Sequence, residues 1–239
     1  MEQVNHSIAK PRVLILDVYE TLLDMSDVER KVNMVFNSSK GYTIWFELFM
    51  QSCFVDNCIR QFHEFATLAK ASMEMTAQKL GRTIESDTID DVMEMLKHLP
   101  VHENVQEGLS LLNDMGYRIA ALTNSPKYTI DERMEPTGLI SYFEAVLSAE
   151  QAKQYKPMLE IYEWAAKKLR VAPEEALLVS SHGWDIAGGA AAGMKTAFIQ
   201  RGKQALYPLA PKPNFVCKDL MELAHQLANL VGTDEVKAV

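Results

Sequence analysis

The chain has 239 residues, 48% of them hydrophobic, and carries a formal net charge of -8 without any basic run. That length suits one well-packed domain or a domain with a sizeable insertion, and the charge argues against nucleic acid or an anionic membrane as partner, since both need clustered Lys and Arg. Cys53, Cys58 and Cys217 are odd in number and contain no Cys-x-x-Cys pair, so neither a disulfide framework nor a zinc site is expected. With no signal-like apolar core near the N-terminus and no membrane-length apolar stretch, a cytoplasmic location is expected.

Val13-Leu14-Ile15-Leu16 is a continuous apolar run of the kind found in parallel strands covered on both faces, and it ends in Asp17. Ser26-Asp27-Val28-Glu29 reads as a capping box opening a helix that carries Val28, Val32, Val35 and Phe36. Ser38-Ser39-Lys40-Gly41 breaks it. A very apolar segment then begins at Ile44, and Phe62, Phe65, Leu68, Ala69, Met73 and Leu80 continue its helical stripe to Gly81. Ile89, Val92, Met93 and Leu96 form a short helix that ends before Pro100. The stretch 25–101 is thus expected to be all helix.

From His102 onward, strand and helix alternate. A helix through Val105, Leu109, Leu112 and Met115 closes at Gly116, and Arg118 to Leu122 is a strand ending at Thr123-Asn124-Ser125-Pro126. Phe143 to Leu147 reads as strand, Met158 to Leu169 as helix, and Ala176 to Ser180 as strand. Ile186 to Ala192 reads as a helix of small residues, and Lys195 to Ile199 as the strand that closes the series. A last helix runs from Asp219 to Leu230. This alternation predicts an α/β fold, a Rossmann-like doubly wound parallel sheet with right-handed crossovers. The core is expected from 1–24 and 102–239, with 25–101 inserted after the first strand as a helical cap over Asp17.

In a parallel sheet the groups at strand carboxyl ends converge. Here they are Asp17, Thr123 with Asn124, Lys156 in Tyr155-Lys156-Pro157, and Ser180-Ser181-His182-Gly183-Trp184-Asp185. Taken singly, each has an ordinary reading as a helix cap, a solvated charge or a turn residue. Their order and common placement set them apart.

These residues resemble the haloacid dehalogenase superfamily, and within it the L-2-haloacid dehalogenases. Asp17-Val18-Tyr19-x-Thr21-Leu22 is similar to the first motif of that family, Thr123-Asn124 to the second, Tyr155-Lys156-Pro157 with Tyr162 to the third, and Ser180-Ser181-x-x-Trp184-Asp185 followed by Ala187-Gly188 to the fourth. The resemblance implies a HAD-like core and a catalytic set of Asp17, Glu20, Thr21, Thr123, Asn124, Lys156, Tyr162, Ser180, His182 and Asp185. Asp17 would be a nucleophile held ionised by Lys156, with Tyr162 and Ser180 supporting Lys156 and Asp17 by hydrogen bonds. Tyr19, Phe46, Met50, Thr123, Asn124 and Trp184 would bind a small halogenated carboxylic acid. No cofactor or metal is implied, and a homodimer is a family expectation.

Phosphatases of the superfamily place an acid two positions after the nucleophile. Tyr19 stands there instead and cannot protonate a leaving alcohol near neutral pH. A phosphatase or phosphonatase, or a binding protein without turnover, remains as the alternative reading. Three departures from the family pattern bear on the chemistry. Glu20 replaces a Gly and His182 replaces an Asn, and together they are expected to form a dyad in which Glu20 orients a neutral His182 as the base that activates water. Phe46 follows Trp45 where the family has an Arg that seats the halogen; a ring edge beside the halide, or His63 or Arg60 from elsewhere in the cap, is expected to stand in.

Overall fold

The computed structural model describes residues 9–235. Its elements, in chain order, are β1 (Val13–Leu16), α1 (Ser26–Val35), α2 (Gly41–Ile59), α3 (Phe65–Lys79), α4 (Ser86–Met95), α5 (Val105–Asp114), β2 (Arg118–Thr123), α6 (Lys127–Met134), β3 (Ala145–Ser148), α7 (Ala149–Ala152), α8 (Leu159–Lys168), β4 (Ala176–Ser180), α9 (Gly183–Ala191), β5 (Lys195–Ile199), β6 (Phe215–Cys217) and α10 (Leu220–Glu235). The six strands make one sheet in the order β3-β2-β1-β4-β5-β6, and every neighbouring pair is parallel. This is the doubly wound α/β fold expected from the alternation of strand and helix.

Burial explains why the apolar runs form the centre. Each residue of β1 is inaccessible to solvent, as is each apolar residue of β4, and these two strands lie side by side. The chain builds outward from β1 through β2 to β3, then crosses to β4, β5 and β6 on the other side. Strand order therefore reverses between β1 and β4, which opens a crevice beyond their carboxyl ends. Asp17 stands at its edge, with its backbone N–H donating to the Val179 carbonyl at 2.9 Å.

The helices α1 to α4 leave and rejoin the sheet through a narrow neck. Leu23 pairs antiparallel with Val101, the Asp24 N–H donates to the Pro100 carbonyl (2.8 Å), and the His102 N–H donates to the Leu22 carbonyl (2.9 Å). Between these two passages α2 packs against α1 and α3, and α4 packs against α1 and α3. Among the described residues, no helix is long and apolar enough to cross a membrane.

Four local features differ from expectation. Ser26 does not cap α1: its N–H (2.8 Å) and hydroxyl (2.5 Å) both donate to Asp24 Oδ1, and Met25 holds the N-cap position. The apolar stripe from Ile44 to Leu80 is split between α2 and α3. Arg60 takes a left-handed conformation (φ 58°), buried Asp56 accepts the His63 N–H at 2.7 Å, and Phe62 turns away to stack on Tyr155 with centroids 4.9 Å apart. α6 was not anticipated, because its buried apolar contribution is the single i, i+4 pair Ile130 and Met134. β6 adds a sixth strand after Ile199; with three residues and an exposed Val216 it offers too short an alternation to read.

Gly188 shows how tightly α9 lies on α8. A Cβ there would come 2.6 Å from both the Cε2 and the hydroxyl of Tyr162, and 2.8 Å from Pro157 Cβ. Gly188→Ala is expected to lower stability by about 1–3 kcal/mol through overpacking, read as a drop in the urea midpoint. An unchanged midpoint would show that the contact is slack.

Candidate active site

The site grows from one buried ammonium. Lys156 is fully buried and its Nζ lies 2.6 Å from Asp17 Oδ1 and 2.8 Å from Asp185 Oδ2. β1 delivers Asp17, the first turn of α9 delivers Asp185, and the loop before α8 delivers Lys156. Tyr162 on α8 donates to Asp185 Oδ1 at 2.6 Å, which fixes the second carboxylate. Burial alone would raise the pKa of Asp17, but Lys156 and then His182 hold it well below the ordinary carboxylate range. Burial would likewise lower the pKa of Lys156, and the Asp17 and Asp185 charges raise it instead. Asp17 is therefore ionised and oriented.

Its second oxygen is equally constrained. The Thr21 hydroxyl donates to Asp17 Oδ2 at 2.8 Å and accepts from the Ser181 N–H at 2.9 Å. His182 Nδ1 approaches the same Oδ2 at 3.2 Å, and His182 Nε2 lies 2.8 Å from Glu20 Oε2. Ser180 at the end of β4 accepts the His182 backbone N–H at 3.1 Å, which sets the start of the turn. The Glu20 carboxylate is held in turn by the Tyr42 hydroxyl (2.7 Å) and the Gln204 amide (2.6 Å). The imidazole is stacked between Phe46 (centroids 5.7 Å apart) and Trp184 (5.0 Å). Burial would lower the pKa of His182, but its bonds to Asp17 and Glu20 outweigh that and push it up to about 9.

Above Asp17 lies a small cavity of about 40 Å³, lined by Tyr19, Trp45, Phe46, Phe49, Met50, Phe65, Trp184 and other residues. A single water needs roughly 10–15 Å³ on the same measure, so the space fits a molecule of a few heavy atoms. Thr123 and Asn124 supply its polar wall. The Asn124 amide is oriented by its neighbour: Oδ1 accepts the Lys156 N–H at 2.9 Å, which leaves the buried Nδ2 donor without a protein partner. An acceptor on a bound small anion suits it.

A family model described as haloacid dehalogenase-like hydrolase matches residues 11–193. The chain belongs to that family. It is 29% identical over 223 residues to the (S)-2-haloacid dehalogenase 4A of Burkholderia cepacia, covering 92% of this chain and 96% of that protein. It superposes on the crystal structure of a dehalogenase with an intermediate complex with a TM-score of 0.82 at 27% identity, over 92% of this chain and 98% of the other. The L-2-haloacid dehalogenase of Xanthobacter autotrophicus, solved with chloropropionic acid covalently bound, shares the fold with a TM-score of 0.81 at 20% identity, over 91% and 98% of the two chains.

Within this hydrolase the residues singled out from sequence come together: Asp17, Thr21, Lys156, Tyr162, His182 and Asp185 in one bonded network, Glu20 behind His182, and Tyr19, Phe46, Met50, Thr123, Asn124 and Trp184 around the cavity. Some roles differ from those expected. Tyr162 reaches Lys156 through Asp185, and Ser180 supports the His182 backbone rather than Lys156 or Asp17. His63 and Arg60 do not line the cavity. The His63 ring turns to Asp56 at 3.0 Å, and Arg60 is exposed at the end of α2. The imidazole meets a second carboxylate beyond Glu20, and with carboxylates facing both of its nitrogens its pKa is raised above the ordinary value. Sequence reasoning missed Tyr42 and Gln204. Tyr42 stands one helical turn before Phe46, a spacing that would have placed both on one face of α2; Gln204 lies in an irregular loop and carries no such signal.

Two outcomes are expected. Lys156→Met leaves two buried carboxylates facing each other and should cost about 3–5 kcal/mol in stability, measured by urea unfolding; a variant as stable as the parent would show that the acids do not depend on the ammonium. The His182 pKa rises from 6.5 unfolded to about 9 folded, so its stabilisation is fully present below pH 6.5 and lost as the pH climbs through 9. Urea midpoints of the parent and His182→Gln should therefore differ most below pH 6.5 and converge above 9. A gap that widens with rising pH would contradict the ion pairing.

Proposed function

We propose that this protein hydrolyses the carbon–halogen bond of short L-2-haloacids, giving 2-hydroxyacids, through an ester formed on Asp17. The observation that carries the reading is an ionised, buried carboxylate, held at both oxygens, at the floor of a cavity that is otherwise mostly aromatic. A carboxylate so desolvated and aimed is a competent nucleophile toward a saturated carbon bearing a leaving group. Halide departs as a stable anion and needs no proton. The group two residues after Asp17 is the Tyr19 phenol, so the site offers no acid there for a leaving alcohol, which favours dehalogenation over phosphate-ester hydrolysis. The named relatives support the same substrate class.

In this reading the carboxylate of the haloacid lies against Thr123 and the free amide donor of Asn124, and C2 faces Asp17. The halogen points to the aromatic wall of Phe46 and its neighbours. The segment 25–101 serves as a cap that closes the cavity and excludes bulk water. Hydrolysis of the ester is driven by His182, oriented by Glu20, acting on a water at the Asp17 carbonyl carbon.

Halide release from chloro-, bromo- and iodoacetate and from the 2-halopropionates tests the reading, with the S enantiomer expected to react. No halide from any of them, together with turnover of phosphate esters, would sink it. His182→Gln should still form the ester but hydrolyse it about 10²–10⁴-fold more slowly, so that intact mass after exposure to haloacetate shows an adduct that maps to Asp17. Tyr42→Phe, which loosens Glu20, should slow hydrolysis more than ester formation. Equal slowing of both steps would remove Tyr42 from the support of the base.

A further inference from the structure

Both nitrogens of the His182 ring face carboxylates, Nδ1 toward Asp17 and Nε2 toward Glu20. An ionised carboxylate only accepts hydrogen bonds, so the ring must donate at both ends unless one of the acids carries a proton. Their other contacts favour neither acid carrying one. Asp17 already receives the Lys156 ammonium and the Thr21 hydroxyl, whose oxygen accepts the Ser181 N–H and lies 3.1 Å from the Ser181 hydroxyl. Glu20 receives the Tyr42 hydroxyl from α2 and the Gln204 amide from the loop after β5. The ring is buried, and its faces are covered by Phe46 and Trp184. The charged groups around it are thus Asp17 and Glu20 in direct contact and Lys156 and Asp185 one step behind Asp17; the other titratable neighbour, His102, lies with Nε2 3.1 Å from the Glu20 carbonyl and has its pKa lowered by burial and by Arg201. In this state His182 is an imidazolium, consistent with its raised pKa. An imidazolium has no lone pair and cannot take a proton from water.

We propose that ester formation on Asp17 is the event that turns His182 from an imidazolium counter-ion into the general base, so that the proton of the overall reaction leaves in the first half-reaction. The inference rests on the Asp17-ester reading above and adds the timing of its proton. In the first step an Asp17 oxygen bonds to C2 as the C2–halogen bond breaks and halide leaves with the bonding pair. The ester is neutral, Nδ1 loses its ionic partner, and its proton passes to solvent, while Nε2–H stays on Glu20. In the second step the bare Nδ1 takes one proton from water and the resulting hydroxide attacks the Asp17 carbonyl carbon. The tetrahedral intermediate expels the 2-hydroxyacid oxygen, which takes the other water proton. Asp17 is again a carboxylate, His182 again an imidazolium, and the sum is haloacid plus water to hydroxyacid, halide and one proton.

The same charge serves substrate capture. Among the described residues no Arg lines the cavity, and Asp17, Asp185 and Glu20 outnumber Lys156 as the charged groups of the network. The imidazolium brings that set to a single net negative charge, which lowers the barrier to entry of an anionic acid.

Two measurements test the proposal, and each decides by itself. Histidine-labelled protein is followed by 15N NMR, with His182→Gln assigning the signal. In the parent, His182 should be doubly protonated at pH 7.5; in Asp17→Asn, a neutral mimic of the ester, its pKa should fall by one unit or more. A neutral ring in the parent, or an unmoved pKa in a folded Asp17→Asn, overturns the proposal. In single turnover of the parent with iodoacetate, an indicator dye should report proton release in step with iodide and ahead of glycolate. Proton release in step with glycolate and behind iodide overturns it. Absence of any Asp17 adduct in the quenched reaction is a different result, since it overturns the ester reading itself.

Discussion

An ammonium with almost no access to water can stay charged only if its surroundings replace the hydration it has lost, and Lys156 obtains that replacement from Asp17 and Asp185. The other elements of the site follow from this pairing. β1 must end and α9 must begin where their carboxylates straddle one point, α8 must carry Tyr162 close enough to pin Asp185, and Gly188 must lack a side chain so that Tyr162 fits. Buried pairs of this kind contribute little net stability compared with apolar packing, and their value lies in specifying one arrangement. Here the arrangement is an Asp17 whose two oxygens are each held by a donor.

Much of this was legible in the chain because it depends on local patterns. Continuous apolar runs marked the four innermost strands, and polar residues at their ends marked Asp17, Thr123, Asn124 and the turn from Ser180 to Asp185. β6 and α6 escaped because three residues and one i, i+4 pair fall below what periodicity can resolve. The split of the long cap stripe turned on a buried Asp56 closing onto His63, a side-chain event without periodic signature. The full surroundings of His182 were hidden for a related reason. Sequence could pair the imidazole with Glu20, but only geometry brings Nδ1 to Asp17, a second carboxylate that raises the pKa of the ring. Gln204 was invisible because it lies in an irregular loop that meets Glu20 across the start of α9, where Gly183 leaves room for Ala205 and Leu206.

The helical insertion is more than a cover. Tyr42 and Phe46 sit on adjacent turns of α2, one bonded to Glu20 and the other stacked on His182. The surroundings of the imidazole are therefore assembled from four separated parts of the chain: the turn after β1, α2, the turn after β4 and the loop after β5. Part of the aromatic wall of the cavity and part of the support of the imidazole share one surface of α2, so a substitution that enlarges the pocket at Phe46 also loosens the ring behind it.

Glu20 adopts φ 58°, a left-handed conformation that costs a side-chain-bearing residue roughly 1–2 kcal/mol and a glycine almost nothing. This chain accepts that strain to place a carboxylate behind an imidazole. The two positions are therefore not free to drift separately. With His182 present and Glu20 absent, a buried ring nitrogen faces no acceptor; with Glu20 present and His182 absent, Tyr42 and Gln204 still satisfy the carboxylate. Of the two groups, the acid can stand without the imidazole and leave fewer buried groups unpaired. The dependence is therefore one-sided: the buried ring needs the strained carboxylate more than the carboxylate needs the ring.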